Sequence, residues 1–195
     1  MIKIYDNFLP KHLENNIEQR LTASDFPWYY NDHTTGNYKQ TMAISDNIKD
    51  YQQWIHLFYS YDNSESEFIS FKNSEFTHII DRLKDGIQSY MGWTSPHLYR
   101  IKANFQFPFP DNKPEYFNQP HCDFEDSEFI TTAIYYVNDS DGDTLFFDNE
   151  TELNIIDKVT PKKGRLVMFN STTLHAGQHP IKSNRRIIIN LNFMV

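Results

Sequence analysis

Apolar positions in the first half of the chain recur at helical spacing. Between Pro10 and Leu21, the residues Leu13, Ile17 and Leu21 fall on one stripe. Between Ser74 and Met91, a second stripe runs through Ile79, Ile80, Leu83, Ile87 and Met91. A weaker helical pattern spans Asp50 to Phe58 through Tyr51, Trp54, Ile55 and Phe58, and Gly36 and Asn37 break the stretch before it. Beyond residue 95 the period shortens to short β-prone runs: Leu98–Phe109, Phe129–Val137, Thr144–Phe147, Glu152–Ile156, Arg165–Phe169 and Arg185–Phe193. Turn residues separate them, notably Asn138-Asp139-Ser140-Asp141-Gly142 and Pro161-Lys162-Lys163-Gly164. Strands at this spacing without intervening helices predict an antiparallel sandwich or barrel, with N-terminal helices packed on it. The fold class expected is therefore mainly β with N-terminal helices (α+β).

Length and composition narrow this further. A chain of 195 residues with 39% apolar and 16% aromatic content is one domain able to bury a full core. No run approaches the ~18 apolar residues of a membrane span, and the start, Met1 to Asp6, lacks the pattern of a secretory leader. A single cysteine, Cys122, excludes a disulfide scaffold, so a cytoplasmic protein is expected. The formal charge of −8 argues against nucleic acid as a partner and favours a neutral or cationic substrate.

Three features carry candidate chemistry. In His121-Cys122-Asp123, residues two apart in an extended chain project to one side, so an imidazole and a carboxylate can share a metal ion. His12-Leu13-Glu14 matches the same pattern, but it lies on a helix where such residues diverge. His175 follows an apolar strand and a polar loop, with His179 as its rival. The last strand alternates Arg185, Ile187, Ile189, Leu191 and Phe193 on one face with Arg186, Ile188, Asn190 and Asn192 on the other. The first face reads as the core face, which turns Arg185 inward, where a guanidinium calls for a carboxylate ligand, and leaves Arg186 to solvent; the alternative is that Arg185 lies one residue outside the strand and snorkels out. Two histidines and one carboxylate leave coordination positions open and suit non-haem Fe(II).

With these residues in this order, the chain resembles the Fe(II)- and 2-oxoglutarate-dependent dioxygenases of the prolyl-4-hydroxylase-like group over roughly residues 95–195. The resemblance implies a double-stranded β-helix (a jelly roll) buttressed by helices. It implies His121, Asp123 and His175 as catalytic iron ligands, and Arg185 and Tyr136 as residues that hold the far carboxylate of 2-oxoglutarate. Thr131 to Asn138 is similar to the family strand that follows His-x-Asp, Gly142 to Phe147 to its glycine-containing segment, and Pro161 to Phe169 to the strand before the distal histidine. The tyrosine common before His-x-Asp is missing, leaving its contact to Gln106 or Tyr99. Residues 1–195 then form a single domain, with 1–94 as helical support and 95–195 as catalytic core. Asp25 to Tyr30 and the polar stretch Asn31 to Lys39 are a candidate lid, or else aromatics that pin the helices to the sheet.

The activity implied is hydroxylation of an unactivated C–H bond, with Fe(II), 2-oxoglutarate and O2 as cofactor and cosubstrates and ascorbate as a stimulant. A peptidyl residue such as proline is the first substrate expected by analogy. A free amino acid, another small metabolite or a nucleobase is the enzymatic alternative, and a non-enzymatic jelly-roll binding protein is the other. A peptide, protein or small-molecule partner is expected, and no membrane.

Overall fold

The structure is a computed structural model that describes residues 1–34, 45–61, 71–94, 96–124 and 129–195. The Gly36–Asn37 break and positions 35–39 of the candidate lid lie outside the described residues. Among the described residues, eleven strands form two antiparallel sheets. They are β1 (Lys3–Tyr5), β2 (Tyr29–Asn31), β3 (Gln53–Tyr61), β4 (Phe71–Asn73), β5 (His97–Gln106), β6 (Ile130–Tyr136), β7 (Thr144–Phe147), β8 (Ile155–Val159), β9 (Leu166–Asn170), β10 (His175–Gly177) and β11 (Arg186–Met194). The major sheet runs β1-β9-β6-β11-β5-β3-β2, with β4 added to β3, and the minor sheet runs β10-β7-β8. Two facing antiparallel sheets are the jelly roll expected from the strand pattern.

Helices α1 (Lys11–Leu21) and α2 (Asp81–Met91) cover the outer face of the major sheet. Ile17 and Leu21 of α1, and Leu83 and Ile87 of α2, are buried there against Ile187, Ile189, Leu191 and Phe193. The long helix read from Ser74 onward is split. Glu75–Ile79 is a 3-10 turn whose start is capped by the Ser74 hydroxyl, which accepts from the Phe76 amide. α2 ends at Gly92, which takes the left-handed conformation (φ 68°) that closes a helix at little cost to glycine.

The expected helix at Asp50–Phe58 is instead β3, paired with β2 and β5. Its apolar positions fit both periods, and the alternating burial of His56 and Phe58 against Phe26 decides for the strand. Residues 1–94 thus also supply four strands to the major sheet. Phe26 and Trp28 belong to the helix-side core, whereas Tyr29 and Tyr30 are exposed on β2. Among the described residues no helix is long and apolar enough to cross a membrane.

The sheet–sheet interior is small, formed by Ile134, Tyr136, Phe146, Val159, Val167, Phe169 and Ile188. The major sheet is therefore buried on both faces. That arrangement overturns one sequence expectation, described next.

Candidate active site

His121 and His175 meet at the β10 edge of the minor sheet. Each donates its backbone N–H to the other's carbonyl, at 2.9 and 3.0 Å, so an isolated antiparallel bridge fixes their spacing. The two imidazole centroids lie 4.6 Å apart. His121 Nδ1 lies 3.2 Å from the Gln119 carbonyl and His175 Nδ1 lies 2.9 Å from that of Thr173. With Nδ1–H occupied in this way, Nε2 is the nitrogen left for coordination on each ring. Burial, the neighbouring His175 and nearby Lys102 push the His121 imidazole down to about 3 against the pull of Asp123 and the Gln119 carbonyl, which keeps it in the neutral form a metal requires.

Asp123 completes the cluster. One ligand atom from each of His121, Asp123 and His175 falls within 4.8 Å of the others. Its carboxylate is clamped by the major sheet. Arg100 Nη2 on β5 donates to Oδ1 at 2.7 Å, and Thr132 Oγ1 on β6 donates to Oδ2 at 2.7 Å. From β11, the Asn190 amide reaches Oδ2 at 3.0 Å and the Asn192 amide reaches it at 3.1 Å. Burial alone would raise this carboxyl, but the Arg100 guanidinium, the two imidazoles and the Asn190 amide hold it far below the ordinary range. It is held as an anion by three strands of the major sheet.

Arg185, one residue before β11, and Arg186, its first residue, are placed opposite to the sequence reading. Arg185 lies on the outer side, 39% exposed, and pairs with Glu18 of α1 at 3.1 Å. Arg186 is 2% exposed and lies between the sheets. The error has a clear physical source. The aliphatic face of Ile187, Ile189, Leu191 and Phe193 is buried by the helices, whereas the polar face of Arg186, Ile188, Asn190 and Asn192 is the interior of the roll. The greasier face was assigned to the wrong interior.

Arg186 is held by neutral acceptors. Nε donates to the Gly142 carbonyl, Nη1 to Gln106 Oε1 and Nη2 to Thr144 Oγ1, each at 2.8 Å. Tyr136 lies on the same inner face, donating its hydroxyl to Thr144 Oγ1 at 2.7 Å, with the guanidinium 5.9 Å from its ring centroid. Gly142 makes this approach possible, since a Cβ there would meet the Gln178 carbonyl, and Arg186 Cδ and Pro180 N at 3.0 Å. None of the hydrogen-bond partners of Arg186 is a carboxylate. A cation buried on such terms is costly unless an anion arrives.

His179 stands outside the cluster. Its Nδ1 lies 3.0 Å from the Phe107 carbonyl and its Nε2 lies 3.5 Å from Gln106 Nε2. Gln106 therefore lies beside Arg186, whereas Tyr99 donates to the Met194 sulfur elsewhere. Cys122 packs beside the outer core of the minor sheet and donates its thiol to the Thr172 carbonyl at 3.1 Å. The sequence reading missed Arg100, Thr132, Asn190 and Asn192 around Asp123. The available signal was the run of alternate polar residues inside otherwise apolar strands, at 100, 102, 104 and 106 and at 190 and 192. One of them, Lys102, is half-buried, and burial and the neighbouring Arg100 lower its ammonium to about 8 despite the opposing pull of Asp123.

The donor set fits a divalent first-row metal with exchangeable positions: two neutral imidazole nitrogens, one carboxylate, and second ring nitrogens fixed by carbonyls. Comparison with known proteins agrees. Residues 109–194 match the family model of the 2OG-Fe(II) oxygenase superfamily, a family that uses Fe(II), 2-oxoglutarate and O2. No curated protein sequence matches the chain. A solved oxidoreductase of the 2OG-Fe(II) oxygenase family from Burkholderia pseudomallei superposes with a TM-score of 0.67 at 10% identity, covering 99% of this chain and 85% of that one. A Trichoplax adhaerens prolyl hydroxylase in complex with a hypoxia inducible factor peptide fragment gives 0.59 at 15% identity, with 99% and 83% covered. A non-heme alpha ketoglutarate dependent epimerase from nogalamycin biosynthesis gives 0.57 at 14%, with 99% and 77% covered. The resemblance to Fe(II)/2-oxoglutarate oxygenases, with prolyl hydroxylases among the structural neighbours, is thus borne out. At these identities the neighbours share the fold, and their reactions differ.

Proposed function

We propose that this chain, whose residues 109–194 match the family model of the 2OG-Fe(II) oxygenase superfamily, hydroxylates an unactivated C–H bond, using His121, Asp123 and His175 as the iron ligands. When bound, the metal and 2-oxoglutarate supply the oxidising chemistry. The chain's own residues orient, neutralise and exclude water. Arg100, Thr132, Asn190 and Asn192 aim the Asp123 carboxylate, and the Gln119 and Thr173 carbonyls set the imidazole tautomers. Arg186 takes the role first given to Arg185, binding the far carboxylate of 2-oxoglutarate in a two-point fork, with Tyr136 and Thr144 beside it. The observation that carries this reading is the pairing of a His/Asp/His cluster at one end of the roll with a buried guanidinium that lacks a carboxylate at the other. Residues 1–195 act as one catalytic domain in this reading, since β1 to β4 and both helices build the sheet that holds Arg100 and Arg186.

The test is succinate release from 2-oxoglutarate by purified protein with Fe(II) and ascorbate, which should occur and be abolished in Asp123→Ala. Mass spectrometry should then show the gain of one oxygen atom on a substrate. A peptidyl residue such as proline is the reading favoured by the peptide-bound neighbour. A small molecule bearing an anionic group is a second reading, favoured by the interior cations of β5.

A further inference from the structure

Strand β5 carries four polar side chains on its inner face, Arg100, Lys102, Asn104 and Gln106, alternating with Ile101 and Ala103 in the helix-side core. Its two ends have assigned work. Arg100 donates to Asp123 at 2.7 Å, and Gln106 accepts from Arg186 at 2.8 Å. The middle pair does not. Among the described residues no carboxylate lies within ion-pair distance of the Lys102 ammonium, and the Asn104 Oδ1 is buried with no hydrogen-bond partner. Lys102 faces Asn190 across the β5–β11 ladder, and the Asn190 Oδ1 is likewise buried and unpartnered although its amide N–H bonds to Asp123. Buried polar atoms left this way cost free energy unless a ligand completes them.

Resting on the reading of the site as an Fe(II)/2-oxoglutarate centre, we propose that Lys102, Asn104 and Asn190 form a substrate subsite for a small carboxylic acid bearing an adjacent N–H or O–H donor, such as a free amino or hydroxy acid. The charge pattern argues for this. Arg100 already answers Asp123, and Arg186 answers the far carboxylate of the cosubstrate, which leaves the Lys102 cation unmatched. Lys102 also sits four residues, about 13 Å, along the strand from the Gln106–Arg186 pair, and two residues from Arg100 at the metal end. A carboxylate held there lies beside the metal ligands and away from the Arg186 fork. The Asn104 and Asn190 oxygens would accept from the donor on the neighbouring carbon. The acidic balance of the whole chain pointed to neutral or cationic substrates, and the local cations of β5 oppose it.

The experiment uses the full chain loaded with Mn(II) and saturated with 2-oxoglutarate. Free L-amino acids and short hydroxy acids serve as probes, alongside their primary amides and terminally blocked peptides. Binding is read from paramagnetic broadening of the probe resonances. The proposal expects at least one free acid to be broadened, its amide not to be, and the broadening to fall at least fivefold in Lys102→Met and recover in Lys102→Arg. The affinity for 2-oxoglutarate should stay within about twofold in Lys102→Met, which also shows that the variant folds. Equal binding of acids and amides, blocked peptides that bind independently of Lys102, or a Lys102→Met defect confined to 2-oxoglutarate would each overturn the subsite. Absence of Mn(II)-dependent 2-oxoglutarate binding in the wild type is a separate result, and it would overturn the underlying reading along with the subsite.

Discussion

Gln106 and Arg186 are register partners across the β5–β11 ladder, and their side chains meet inside the roll, with Arg186 Nη1 donating to Gln106 Oε1 at 2.8 Å. Gln106 Nε2 in turn lies 3.5 Å from His179 Nε2. The guanidinium is therefore fixed from β5, which lowers the ordering cost of binding an anion.

Exchanging the roles of the two adjacent arginines gives a direct prediction. A charge-assisted hydrogen-bond pair contributes about 1.5–3 kcal/mol. Arg186→Leu should raise the dissociation constant for 2-oxoglutarate on the order of 10–100-fold by calorimetry. Arg185→Leu, which loses only its partly exposed contact with Glu18, should leave that constant within about twofold.

Glycine substitutions should separate a close approach from ordinary helix propensity. At Gly142 a methyl group would meet the Gln178 carbonyl, Arg186 Cδ and Pro180 N. Gly142→Ala should destabilise by about 1–3 kcal/mol in urea unfolding and also weaken 2-oxoglutarate binding. Gly86 lies inside α2, where a methyl group would touch only Leu9 and Phe8 side chains at 3.6 and 3.7 Å. Gly86→Ala should stabilise by about 0.5–1 kcal/mol.

The site was legible in the sequence where spacing alone determines geometry. His121 and Asp123 are two apart on an extended segment, and the spacing from His175 to the following arginine resembled that of a known family, so the cluster could be named without coordinates. Strands β6, β7, β9 and β11 were readable because turn residues bracket them. Other features were not readable, among them the short strands β1, β2 and β4. The Asp50–Phe58 stretch has apolar positions compatible with both periods, and only pairing with β5 makes it a strand. The β10 strand is three residues long and owes its existence to β7. The inward face of β11 was misassigned because both faces are buried, one by helices and one by the second sheet. Alternation separates two faces, but does not say which interior each enters. The polar residues Asn190 and Asn192 beside Arg186 were the clue, since they belong with Asp123.

Part of the acid sensitivity should follow His179, alongside the buried His121. Burial, with a further push from Arg186, lowers its imidazole to about 4 against the pull of the Phe107 carbonyl. An unfolded histidine titrates near ~6.5. Between these values the unfolded chain binds the proton and the folded chain refuses it, so stability falls as pH drops through this window. From pH 7 to pH 5 the loss attributable to this residue is on the order of 2 kcal/mol. His179→Gln should lose correspondingly less stability between those two pH values, measured by urea unfolding.

The central claim is that His121, Asp123 and His175 act as one metal centre. Calorimetric titration of Mn(II) into the metal-free protein tests it most directly. One ion per chain should bind, with affinity reduced at least tenfold in each of His121→Ala, Asp123→Ala and His175→Ala, and unaltered in His179→Gln. Binding that survives all three substitutions, or no stoichiometric binding in the wild type, would contradict it.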